Sequence, residues 1–139
     1  WAGGLAVVHE FLEAHGLDTS AVELADGSGM SRANRATPRL MAALLRTMYF
    51  HRWGREFVAS LPYSGEEDLS WRKRLAEPPY RGNVFAKTGT LNGVSTLSGY
   101  AKGASGRLYV FSILCNGTRG SWHAKRAQDA ILRALIDEG

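Results

Sequence analysis

The second half of the chain contains a pattern that restricts it to an antiparallel sheet. Two stretches rich in apolar and β-branched residues, 84–91 and 94–101, are separated only by Asn92-Gly93. Asn and Gly both tolerate a positive φ, which the favoured two-residue hairpin turns require. A third stretch, Leu108–Cys115, follows a short turn rich in Gly and small residues. The sequence therefore predicts three consecutive antiparallel strands.

The third stretch is apolar at both odd and even positions. Since alternate residues of a strand point to opposite faces, we expect Leu108–Cys115 to be the central strand, covered on both faces. The stretch 84–91 is expected at an edge. Cys115, the only cysteine of the chain, falls in the apolar run and is expected to be a buried structural thiol.

The remaining segments have helical periodicity. The predicted helices begin near Leu5, Pro38, Arg55 and Trp122. Gly16 is a suitable C-terminal stop for the first helix, and Thr37-Pro38 supplies an N-cap and a first helical residue for the second. The charged segment 66–77 is weakly amphipathic, with one helical turn predicted at 71–74. Helices, three strands and a last helix predict an α+β fold.

Composition limits the class of protein. A chain of 139 residues that is 45% hydrophobic and 22% charged fits one folded domain, and we expect residues 1–139 to belong to a single one. No apolar run reaches the roughly 18 residues that a membrane span needs. The net charge of +4 is modest, and its densest cluster is only 71–74, so we expect no nucleic-acid partner.

The motif Lys87-Thr88-Gly89-Thr90 is the most informative chemical feature. It ends the first predicted strand, just before the hairpin turn. The lysine can hold an anionic group, the glycine permits close approach of another backbone, and the threonines add hydroxyl groups. These residues suit a substrate that lies along the strand edge with a carboxylate near Lys87 and Thr88. Taken alone, the triplet is a weak signal and favours a solvent-facing lysine beside a turn.

Two longer segments give this motif a context. One runs from Asp26 to Asn34, in the form Asp-Gly-Ser-Gly-Met-Ser-Arg-Ala-Asn, and is followed by Thr37-Pro38; the other runs from Ala86 to Tyr100. At this separation they resemble the C-terminal part of the D-alanyl-D-alanine carboxypeptidase/endopeptidase family, the low-molecular-mass class C penicillin-binding proteins. The resemblance covers nearly the whole chain. It implies a penicillin-binding transpeptidase-like fold, with a five-stranded antiparallel sheet between helices.

The resemblance also implies roles for the motif. Lys87 and Thr88 would bind the terminal carboxylate of a peptidoglycan stem peptide or of a β-lactam. Gly89 would lie in the same substrate-binding strand, and the backbone N–H of Thr90 would form half of an oxyanion hole. The family's reaction is acyl transfer through a serine and needs no metal or other cofactor. A periplasmic or other extracytoplasmic location is implied as well.

The family's other two motifs, Ser-x-x-Lys and Ser-x-Asn, are expected upstream of this segment. Ser-x-Asn does not occur, and the one Ser-x-x-Lys, 70–73, lies too close to Lys87 and is interpreted as a chance match. We therefore expect the chain alone to be inactive, with the nucleophile on a missing N-terminal part or on a second chain. The alternative is a non-catalytic interaction module that retains the fold.

Other polar residues receive structural interpretations. Asp26 and Ser28 are expected to hold their glycine-rich loop through side-chain to backbone hydrogen bonds. The histidines lie on separate predicted helices without metal-ligand spacing, so no metal site is predicted. They are His9, His15, His51 and His123.

Overall fold

The computed structural model describes residues 2–67, 71 and 73–139. The helices are α1 (Ala2–Ala14), α2 (Pro38–Phe50), α3 (Gly54–Ala59) and α4 (Ser121–Glu138), with a 3₁₀ turn at Thr19–Ala21. The strands are β1 (Val22–Glu23), β2 (Arg35–Ala36), β3 (Val84–Leu91), β4 (Val94–Lys102) and β5 (Leu108–Asn116). The predicted α+β class is confirmed, and the three long strands begin where the sequence pattern placed them.

The main sheet is antiparallel with the order β3-β4-β5. The two-residue turn joins its first two strands as predicted, and Gly93 has a φ of 75°. The predicted central position of the third strand is wrong, because β4 is central and β5 is at an edge in the part of the chain described. Apolar residues occupy both faces of β5 because helices cover both faces of the sheet. Cys115 is half-buried rather than fully buried.

Helix α4 covers one face of the sheet and creates the larger core. Leu132 and Ile136 of this helix are almost completely buried against the sheet. The core also contains Trp71, Leu75, Val84, Ala86, Leu97, Ala101 and Phe111. Helix α2 packs on the other face, where the buried Tyr100 hydroxyl donates a hydrogen bond to the Leu45 carbonyl at 2.6 Å.

The predicted helix boundaries are confirmed at two capped ends. The Thr37 hydroxyl accepts a hydrogen bond from the Leu40 N–H at 3.1 Å, and Pro38 is the first residue of α2. Gly16 follows α1 with a φ of 68°. The short β1–β2 pair was not predicted, since two residues per strand are too few to show alternation. No helix among the described residues has the length and apolar character needed to cross a bilayer.

The helix predicted within 66–77 is wrong for the described residues, which form turns and bends. The i, i+4 spacing of Trp71 and Leu75 resembles a helical pattern, yet both side chains insert into the core from an irregular segment. Leu75 has a φ of 48°, which a right-handed helix excludes. Trp71 itself is fully buried.

Burial gives the fold a dependence on alkaline pH. Desolvation raises the pKa of Tyr100 to about 12, whereas an unfolded tyrosine ionises near about 10. The unfolded state therefore loses this proton first, so stability falls as the pH rises from about 10 to about 12. We predict that urea denaturation will show a smaller decline over this interval for Tyr100→Phe than for the original chain. An equal decline in both proteins would contradict the assignment.

Candidate active site

The motif predicted from the sequence occupies the second half of β3. Its residues face the central strand in the pairs Lys87–Ser98, Thr88–Leu97, Gly89–Thr96 and Thr90–Ser95. Since side chains alternate along a strand, Lys87 and Gly89 share the face towards α2, and Thr88 and Thr90 share the face towards α4. The two side chains proposed to bind one carboxylate therefore lie on opposite faces of an edge strand.

The outer edge of β3 is covered along only half of its length. The Ala86 N–H donates to the Pro62 carbonyl at 2.9 Å, and the Ser64 N–H donates to the Val84 carbonyl at 2.9 Å. Even-numbered residues of β3 thus direct their backbone groups away from β4. By the same alternation, the N–H groups of Thr88 and Thr90 point to this edge, where no described segment pairs with them. The motif has an open strand edge.

The Lys87 ammonium lies at this open edge. Its Nζ donates to the Thr88 carbonyl oxygen at 2.7 Å, and the side chain is exposed. A positive charge is thus held beside the unpaired N–H groups of the edge. A ligand carboxylate arriving here would find the ammonium and backbone donors within one short segment.

Beside the motif is a cavity of about 650 Å³. Its floor is the α2-side face of the sheet, including Lys87, Thr96 and Ser98, and its wall is the Asp26–Asn34 loop. The Ser98 hydroxyl is largely buried and shares a hydrogen bond of 2.8 Å with the Ser112 hydroxyl. This cavity is adjacent to the open edge, and the two features together have the shape and the polar groups of a ligand site.

The glycine-rich loop is held as predicted, by short-range hydrogen bonds. Asp26 Oδ1 accepts from the Ser28 N–H at 3.2 Å, and the Ser28 hydroxyl accepts from the Met30 N–H at 3.0 Å. Asn34 donates to Asp26 at 3.0 Å, and this contact, together with the Ser28 bonds, holds the pKa of the Asp26 carboxyl below its ordinary value. The Arg32 guanidinium donates to the Asn92 carbonyl. That bond ties the loop to the hairpin turn.

Gly89 is needed for a reason that the sequence did not show. A Cβ at this position would overlap the Thr96 hydroxyl on the neighbouring strand. The close neighbour is therefore a side chain of the central strand rather than another backbone. Thr96 and Ser98 were missed by the sequence analysis, although the predicted two-residue hairpin fixes them opposite Gly89 and Lys87 and could have identified them.

The other candidate residues do not join this site. Ser70, in the chance Ser-x-x-Lys match, lies outside the described residues. His15 and His51 follow different helices, and the fold brings their rings together with centroids 5.8 Å apart. Within the described ranges, no group of three metal-ligating side chains comes together.

Comparison with known proteins identifies the origin of this arrangement. The sequence model of the D-Ala-D-Ala carboxypeptidase 3 (S13) family matches residues 1–137. The chain belongs to this family. A D-alanyl-D-alanine carboxypeptidase of an Actinomadura species is 42% identical over 141 residues, which cover 99% of this chain and 26% of that protein. A D-alanyl-D-alanine carboxypeptidase of Haemophilus influenzae is 34% identical over 115 residues, covering 82% and 24%.

A solved structure confirms the transpeptidase-like fold expected from the resemblance. The crystal structure of penicillin binding protein 4 from Haemophilus influenzae superimposes with a TM-score of 0.83 at 30% identity. The match covers 96% of this chain and 32% of that one. The chain thus spans between about a quarter and a third of the length of these members of the D-Ala-D-Ala carboxypeptidase 3 family.

The contact at Gly89 can be tested by a pair of substitutions. Gly89→Ala should lower the free energy of unfolding by about 1–3 kcal/mol, the usual cost of inserting a methyl group into filled space. The loss should be smaller in a Thr96→Ala background, which removes the overlapping hydroxyl. Gly27→Ala, where the added Cβ meets open space, is the control. Urea denaturation that gives the same loss with and without Thr96 would refute the contact.

Proposed function

We propose that this chain is the C-terminal part of a serine-type D-Ala-D-Ala carboxypeptidase domain, to which it contributes the substrate-binding strand. The observation that carries the proposal is the half-covered edge of β3, where the Lys87 ammonium lies beside backbone donors that no described residue pairs with. A peptide with a terminal carboxylate has the chemistry to fill this edge as an added strand. Penicillin binding protein 4 of Haemophilus influenzae, which is 30% identical to this chain, was crystallised in complex with a β-lactam.

In this proposal each residue of the motif has its own role. Lys87 supplies charge to the carboxylate, and Thr88 supplies its backbone N–H, which points to the same edge. Gly89 lets Thr96 pack beneath the strand. The Thr90 N–H points outward and donates to the oxygen that becomes negative during attack on the substrate carbonyl, as half of an oxyanion hole.

The rest of the reaction is assigned to residues outside the chain. A serine hydroxyl attacks the carbonyl carbon, the bond to the leaving amine breaks, and water later releases the acyl group from the serine. We assign the serine and its base to an upstream part of the same protein or to a second chain. We also propose an extracytoplasmic location, which the resemblance to this family implies. A non-catalytic module would instead lack the upstream Ser-x-x-Lys and Ser-x-Asn motifs.

The chain by itself should not be acylated by penicillin. Ser98, opposite Lys87, is largely buried and bonded to Ser112, so it does not present a free nucleophile. Incubation with penicillin followed by intact-mass spectrometry should show no covalent adduct. An adduct at Ser70 would contradict the interpretation of the 70–73 match as chance.

The role of Lys87 can be measured in the complete protein that carries the upstream motifs. Lys87→Ala should slow acylation by penicillin by about 10- to 1000-fold, the scale for losing a key electrostatic contact. Lys102→Ala, which removes an exposed charge from the far end of β4, should leave the rate unchanged. Equal labelling of the Lys87→Ala and original proteins, measured by mass spectrometry over time, would overturn the role of Lys87.

A further inference from the structure

We infer that Gln128 of α4, acting through Ser95 of β4, is a positioning residue for the backbone N–H of Thr90. The inference rests on the proposed function, in which that N–H stabilises the oxyanion. Gln128 does not reach the open edge itself. It contacts the strand that supports Thr90 from beneath.

A fully buried amide links the helix to the sheet. Gln128 has no exposed surface, and its Nε2 donates to the Ser95 hydroxyl at 3.2 Å. Its Oε1 accepts from the Arg74 guanidinium at 3.2 Å. Because a guanidinium can only donate, the amide oxygen must face Arg74 and the amide nitrogen must face Ser95. The orientation of the side chain is therefore fixed at both ends.

The guanidinium at one end of this link is itself anchored. Arg74 donates to Asp129 Oδ1 through Nε at 3.0 Å and through Nη2 at 2.6 Å. It also lies over the Trp71 ring, 5.0 Å from its centroid. The chain of contacts thus runs from an irregular segment through α4 to the sheet.

At the other end, Ser95 lies on the central strand, directly beside Thr90 of the motif. It is 1% exposed and pairs with Thr90 on one side and with Cys115 on the other. Thr90 and Ser95 form a pair without direct backbone hydrogen bonds, since the backbone groups of Thr90 point to the open edge. In such pairs the side chains approach most closely, so the packing of Ser95 bears directly on where Thr90 lies.

The chemistry of the position supports a role beyond core packing. Neighbouring buried positions on the same helix are apolar, namely Ala124, Leu132 and Ile136. A buried amide gives little net stability even when satisfied, and an apolar side chain of similar volume would pack without a polar partner. What the amide adds is direction, because it holds Ser95 at one distance from a charged anchor. No strand in the described part of the chain lies on the outer side of Thr90 to do this.

The test uses the complete protein that carries the upstream motifs. Stopped-flow measurements give two separate quantities, the dissociation constant of the initial penicillin complex and the acylation rate constant. In Gln128→Leu the acylation rate constant should fall about 10- to 100-fold, the effect of a small misplacement of a catalytic group. The dissociation constant should stay within about twofold, because Lys87 is untouched. Ser95→Ala, a smaller change, should show the same split.

Leu132→Val is the matched control, since it disturbs an equally buried residue of α4 without breaking the link to Ser95. Its acylation rate constant should match that of the original protein. Unchanged acylation in both Gln128→Leu and Ser95→Ala, or an equal loss in Leu132→Val, would overturn the inference. If Gln128→Leu does not fold, the acylation rate constant of Ser95→Ala is the deciding measurement. An original protein that penicillin does not acylate would instead refute the proposed function.

Discussion

The register of the β3–β4 hairpin is the constraint on which the site depends. A two-residue turn at Asn92-Gly93 allows only one pairing of the strands, with Gly89 opposite Thr96 and Thr90 opposite Ser95. A slip by one residue would move the Lys87 side chain to the face covered by α4. It would also bring a β-branched side chain against Thr96, at a position where even a single added Cβ would overlap the Thr96 hydroxyl. The turn and Gly89 therefore enforce the same register from two places.

The edge of β3 is open only at Thr88 and Thr90 in the described part of the chain. Unpaired strand edges invite unwanted association, and proteins usually cover or interrupt them. Here the segment around Pro62 and Ser64 covers β3 as far as Ala86 and then departs. The exposed part coincides with the motif that bears the charge. This coincidence favours a ligand-binding role over an incidental lysine beside a turn.

The sequence was sufficient for the features that depend on neighbouring residues. The hairpin, the capped start of α2 at Thr37 and the hydrogen-bonded loop at Asp26 all follow from local residue types, and all are present. The features that were missed depend on distant partners. Trp71 enters the core from an irregular segment, and Gln128 meets Ser95 across 33 positions of sequence. Neither contact leaves a periodic signal, because each is made by a single side chain.

The prediction that β5 is central was wrong because the apolar pattern concerns only the faces of a strand. Apolar side chains at both parities report that both faces of a strand are covered, but they do not report what lies at its edges. Helices α2 and α4 supply that coverage here.

In the cavity, a charged group that lies near Lys87 is not necessarily paired with it. Asp26 lines the cavity with Lys87, yet its carboxylate is occupied by Asn34 and Ser28. Among the described residues, the Lys87 ammonium makes no ion pair, and Arg35 adds a second positive charge to the wall. A carboxylate entering the site therefore finds a cation that need not first be separated from a protein anion. The electrostatic cost of binding is then the desolvation of the two charges, which a partly covered strand edge keeps small.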